Sequence, residues 1–109
     1  MAYAKGDVVL VPFPFRDQVA AKVRPALVVS GARYNTRGDL IVAAITTHPP
    51  RVATDYALAG WRSARLVGPS TVRMQLATLA ASRVLYRPGR LPRRDLQVVD
   101  GLIRDAFEV

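Results

Sequence analysis

Few residue types in this chain can do chemistry, and arginine dominates them. His48 is the single histidine, Glu108 the single glutamate, and cysteine is absent. Without thiols or a second histidine, disulfides, thiolate metal sites and histidine-cluster zinc sites are excluded. Histidine is the side chain whose ordinary pKa lies near neutrality, so His48 is a candidate proton carrier. A loop histidine with no role fits the same position. Arg24, held by Pro25 just ahead of an apolar run, can aim a guanidinium into a groove, and its donor fork matches phosphate oxygens. It also reads as an ordinary solvated arginine at a strand edge. Arg73 and Gln75 alternate with apolar residues, and Gln75 can hydrogen-bond a base or a phosphate but cannot act as a base. Phe13 and Phe15 flank Pro14, where stacking on an unpaired base competes with packing of at least one ring on the core. Asp17 lies in the polar segment that follows. It can orient Arg24 or contact a ligand, although loop acids are commonly only solvated.

A chain of 109 residues is one domain's worth, with no room for a second core. Sixteen Lys and Arg against eight Asp and Glu give a net charge of +8. GC-rich codon usage is one reading of the choice of Arg over Lys, but it does not explain the sign of the charge. Such a domain attracts polyanions, and nucleic acid or a strongly acidic protein segment is the natural partner. No basic amphipathic helix stands out for a membrane surface, and no apolar run approaches the roughly 18–20 residues of a membrane span. The opening MAYAKGDVVLVPFPF has one lysine, then an apolar run broken by prolines, with no small-residue cleavage site. It is not expected to be a signal peptide.

The elements that must position these residues are mostly strands. Asp7–Phe13, Pro25–Ser30 and Asp39–Thr46 are short, β-branched apolar runs bounded by turn residues. Pro69–Leu79 alternates in part: Val72, Met74 and Leu76 share one face, Arg73, Gln75 and Ala77 the other. A weaker strand over Thr54–Leu58 precedes it. Polar segments over 15–23, 31–38 and 47–51 connect the strands. Tyr34-Asn35 reads as a turn in which Asn35 tolerates positive φ, and Trp61 as a plug at a loop corner. The C-terminus predicts a helix opening at Leu91-Pro92, with Pro92 near the first turn, where a missing N–H costs little. Leu96, Val99, Ile103 and Ala106 or Phe107 repeat along one face. About five strands and one helix predict a mainly β fold, a small, strongly bent sheet or barrel.

This order of segments resembles the MazF/PemK (Kid-like) family of toxins from type II toxin–antitoxin systems. The resemblance rests on GDVVLVPFPF at 6–15, VRPALVVS at 23–30, YN at 34–35, DLIVAAIT at 39–46, PSTVRMQLATL at 69–79, and GRL at 89–91 before the terminal helix. The PFPF and LATL segments resemble one large subgroup. The resemblance implies a single toxin domain over 1–109, an SH3-like barrel capped by a helix, and a homodimer. It implies a cytoplasmic, sequence-preferring endoribonuclease that cuts single-stranded RNA without metal or other cofactor, and a cognate acidic antitoxin as partner.

Cleavage of that kind uses the RNA's own 2′-hydroxyl as nucleophile. The protein must take its proton, stabilise the charge on the phosphorane and protonate the leaving 5′-oxygen. The resemblance selects Arg24 and Thr46, the latter a weaker, neutral donor. Arg73 stands where the family carries a further arginine. Several members place an acid shortly after it, whereas Met74, Gln75 and Leu76 follow here, and Ala77 replaces a second arginine. The catalytic set is therefore Arg24, Thr46 and Arg73, with Gln75, His48, Asp17 and Phe15 against RNA and the proton acceptor unassigned. Two other readings keep the fold: a non-catalytic toxin that inhibits a protein target, as the CcdB family does, and a plain SH3-like RNA-binding module. The Arg24 and Thr46 pair favours the first reading, because a pure binder needs no such pair.

Overall fold

The computed structural model describes residues 2–15 and 21–109. Strands β1 (Asp7–Phe13), β2 (Lys22–Val28), β3 (Asp39–Thr46), β4 (Tyr56–Ala57), β5 (Thr71–Ala80) and β6 (Tyr86–Arg90) form one sheet in the order β4-β5-β3-β2-β1-β6. Every neighbouring pair is antiparallel. A one-turn helix α1 (Ala32–Asn35) joins β2 to β3, and helix α2 (Arg93–Phe107) closes the chain. Among the described residues, no helix is long and apolar enough to cross a membrane.

The unbroken apolar runs have a direct cause: the inner strands are buried on both faces. Val8, Leu27, Ala43, Ile45 and Val72 point to one side, where Leu58, Leu91 and Val99 of α2 cover them. Val9, Val11, Ala26, Val28, Val42 and Ala44 point to the other, with Phe13 and Leu40. Among the described residues no second sheet lies over that face. The sheet curls, and its own flanks cover it with Ala77, Leu79, Ala81 and Val84. The curl is pinned by backbone bonds from Ala81 N–H to Gly38 O (2.8 Å) and from Leu85 N–H to Leu10 O (2.9 Å). The expected mainly β, strongly bent sheet with a C-terminal helix is the fold that forms.

Several expected boundaries change. Strand β6 was not anticipated, because Pro88 and Gly89 break a strand pattern. As an edge strand it tolerates both. The Asp7 carboxylate, 1% exposed, accepts a hydrogen bond from Arg90 Nη1 at 2.7 Å and pairs with Arg87 at 3.5 Å, tying β6 to β1. Gly89 is required there, since a Cβ would stand 2.8 Å from the Ala64 carbonyl oxygen. Tyr34-Asn35 is not an open turn but the end of α1, and the positive φ of this connection (98°) belongs to Gly38. Asn35 is buried, its amide donating to the Tyr3 and Ser30 carbonyls while the Ser30 hydroxyl donates to its side-chain oxygen. Along α2 the apolar stripe stops at Ile103, and Phe107 is 63% exposed. Asp95, in the first turn, is fully buried and accepts from Tyr56 Oη (2.5 Å), Ala59 N (3.1 Å) and Gly60 N (2.7 Å). It binds the helix to the segment after β4. Trp61 packs on the same core, with the Arg62 guanidinium 4.4 Å from its ring centre.

Candidate functional site

Two irregularities of the sheet make a cleft beside β3. The first lies in β2, which starts at Lys22 rather than at Pro25, so Arg24 sits within the strand and not ahead of it. Among the described residues, 22–25 pair only with β1, Arg24 opposite Val11, because the β2–β3 ladder begins at Ala26↔Ala44. Pro25 lacks an N–H and is tolerated where no β3 partner is present. Carrying the Ala26↔Ala44 register outward by two residues brings Arg24 level with Thr46, the last residue of β3. The sheet is split there, and the two side chains border the opening.

The second irregularity lies in β5. Between Ala43↔Leu76 and Ile45↔Val72, β5 uses more residues than β3, leaving Arg73–Gln75 as a bulge without ladder partners. Bulges re-aim side chains, and they recur next to active sites. Val72 and Met74 pack on the α2 side and Ala77 on the opposite core, as the alternation predicts, but Leu76, expected beside Val72 and Met74, is exposed and lines a cleft with Arg73 and Gln75. Arg73 and Gln75 turn toward Arg24 and Thr46.

The result is a cleft of about 220 Å³ lined by Arg24, Thr46, Arg73, Gln75, His48 and Phe15, with Ala44 and Ile45 as its floor. Phe15, Arg73 and Gln75 also line an adjoining cleft of about 430 Å³ with Phe13, Pro14 and Leu76. The described site residues expected from the sequence thus converge on one place. Asp17 lies outside the described residues. Phe13 is buried in the core and Phe15 stands over it, with ring centres 4.6 Å apart, so one ring packs while the other borders the clefts. The His48 backbone N–H donates to Thr46 Oγ1 at 3.3 Å, which leaves the Thr46 hydroxyl proton available to a ligand. Arg24 Nη1 donates to the Val23 carbonyl at 3.0 Å, steadying one end of its fork.

Asp55 is the residue that sequence reasoning missed. Its side chain is 3% exposed, and Oδ1 lies 3.6 Å from Arg73 Nε. Its other oxygen accepts the Arg51 backbone N–H at 3.0 Å. Nothing near Asp55 in the sequence links it to Arg73. Among the described residues, Arg73 Nε and Gln75 Oε1 are buried without a hydrogen-bond partner. No cluster of three or more His, Cys, Asp or Glu suited to a metal ion occurs among the described residues. Chemically, the cleft offers two guanidinium groups, a hydroxyl donor, an amide, an imidazole and an aromatic face. That set suits a phosphodiester with an adjoining base.

The model of the PemK-like, MazF-like toxins of type II toxin–antitoxin systems matches residues 4–107. The chain belongs to this family. The fold agrees: a mycobacterial endoribonuclease solved with its cognate antitoxin superposes with a TM-score of 0.82 at 18% identity, covering 99% of this chain and 97% of that one. A second mycobacterial endoribonuclease gives 0.78 at 19% identity, covering 100% and 94%. The MazE–MazF complex of Deinococcus radiodurans gives 0.79 at 21% identity, covering 100% and 99%. No curated protein matches the chain. At these identities the structural likeness establishes a MazF-like fold, the six-stranded curled sheet with its C-terminal helix, and the family match makes the chain a PemK/MazF-like toxin.

Proposed function

We propose that this PemK/MazF-like toxin is a metal-independent endoribonuclease that cuts single-stranded RNA, mRNA in particular, at short motifs. The observation that carries the proposal is the single cleft shared by Arg24, Thr46, Arg73, Gln75, His48 and Phe15. Arg24 and Arg73 supply fixed positive charge to the non-bridging oxygens as the phosphorane forms. Thr46 donates its hydroxyl proton to the same group. His48 borders the scissile position and serves in proton transfer between the 2′-hydroxyl and the leaving 5′-oxygen. Phe15 offers a stacking face and Gln75 an amide for the adjacent base. Two of the solved relatives are complexes with an antitoxin. By that analogy an antitoxin restrains this toxin; the family resemblance adds that the antitoxin is acidic and that a single toxin domain over 1–109 works in the cytoplasm as a homodimer. The PFPF and LATL segments favour the subgroup that they resemble.

Incubation of the purified protein with a long single-stranded RNA in EDTA tests this. Fragments ending in 2′,3′-cyclic phosphate and beginning with 5′-hydroxyl are expected. Activity lost in EDTA and restored by magnesium overturns the mechanism. Binding without cleavage points to an RNA-binding module, and indifference to RNA points to a protein target.

A further inference from the structure

One end of the β5 arginine is buried. The Arg73 side chain is 36% exposed and borders the cleft, while its Nε is buried. Among the described residues, the carboxylate paired with that Nε is Asp55 Oδ1, at 3.6 Å, from the loop before β4. Asp55 is itself fixed. Its Oδ2 accepts the Arg51 N–H at 3.0 Å, its backbone N–H donates to the Val52 carbonyl at 3.0 Å, and its side chain is 3% exposed. A buried carboxylate held by its own loop, beside the buried Nε of an arginine whose side chain borders a ligand cleft, is placed to orient that arginine.

We propose that Asp55 is a positioning residue for Arg73. It fixes the guanidinium plane so that the two terminal nitrogens meet the phosphate of bound RNA, and so sets the rate of cleavage. This rests on the endoribonuclease reading of the cleft. Asp55 is given no proton-transfer role, because its side chain is 3% exposed and is not part of the cleft lining. The separation of 3.6 Å is too long for a hydrogen bond. Closing it by less than an ångström when a phosphate draws the fork into place makes the contact stronger in the loaded site than in the empty one. Interactions that strengthen toward the transition state raise kcat, whereas uniform ones lower KM.

The test is a double-mutant cycle on single-turnover RNA cleavage in EDTA, using the whole chain. Asp55→Asn keeps the shape and an oxygen for the Arg51 N–H, but turns an amide toward Arg73. It is expected to lower kcat/KM roughly tenfold, mostly in kcat, with the thermal midpoint little changed. In an Arg73→Ala background the same substitution is expected to change nothing further, since the group being positioned is gone. Equal losses in both backgrounds, or wild-type cleavage by Asp55→Asn, overturn the assignment while leaving the endoribonuclease reading intact. A parent protein that does not cleave RNA overturns that reading, and this one with it. If Asp55→Asn does not fold, Arg73→Lys decides. It keeps the charge but has no Nε–H to hold, and wild-type kcat/KM for it overturns the role of Asp55.

Discussion

Arg24 and Thr46 meet because two strands part. The β2–β3 ladder stops at Ala26↔Ala44, and the next outward positions carry the guanidinium and the hydroxyl. Arg24→Ala is therefore expected to leave the core untouched, because the side chain is exposed and outside both buried clusters. Loss of one preorganised charged donor typically costs about 10²–10³ in rate. A cleavage assay with a thermal melt checks this, and a folded Arg24→Ala protein of parental activity contradicts it. Thr46→Ala is expected to lose less, because a neutral donor is the weaker one. Arg73 and Gln75 are legible by their alternation with apolar residues and Arg24 by the proline that follows it, whereas Thr46 is selected only by the family resemblance. Asp55 is not legible. Its partner is chosen by the way the β3–β4 loop folds back on the β5 bulge, and no local pattern encodes that approach.

At the scale of elements, β1, β3 and the terminal helix can be read almost to their ends. Their apolar patterns are continuous or helical, and burial on both faces of the sheet enforces them. The start of β2 and the whole of β6 escape the reading, because Pro25, Pro88 and Gly89 signal a break while their strands lack a partner on one side. The inner strands set stability. Leu27 is wholly buried beneath α2, so Leu27→Ala is expected to cost about 2–5 kcal/mol. Chemical denaturation measures it. Helix α2 is tied through Asp95, and the tie titrates. Burial and the hydrogen bond to Asp95 push the Tyr56 hydroxyl up to about 12 from its usual 10. The folded state thus favours the protonated phenol more than the unfolded chain does. That contribution is complete below pH 10 and is lost as pH rises toward 12. Tyr56→Phe is expected to lower stability at neutral pH and to flatten its fall across that alkaline window. Parallel curves for the two proteins contradict the tie.

At the scale of the whole molecule, the excess of eight positive charges acts before any contact forms. A single strand that lays several phosphates along the Arg24–Arg73 cleft releases their counterions, so log affinity falls linearly with log salt, by about 0.7 per phosphate. Binding by the inactive Arg24→Ala protein is expected to retain a steep slope from its remaining contacts, shallower than the parent's by about one phosphate. A flat response contradicts a phosphate-tracking cleft. On the proposed reading the same field acts in inhibition: an acidic, partly disordered antitoxin segment is expected to be steered to the arginines and then to add apolar anchors as it orders. The half-buried Phe15 and the exposed Leu76 beside the clefts offer such anchors. Steering belongs to the association rate and anchoring to dissociation. Raising salt is therefore expected to slow association of an acidic antitoxin several-fold while changing its dissociation little, and stoichiometric antitoxin is expected to stop cleavage. Stopped-flow binding beside a cleavage assay measures both. A cognate antitoxin that binds tightly while cleavage continues unchanged places the RNA site elsewhere on the molecule.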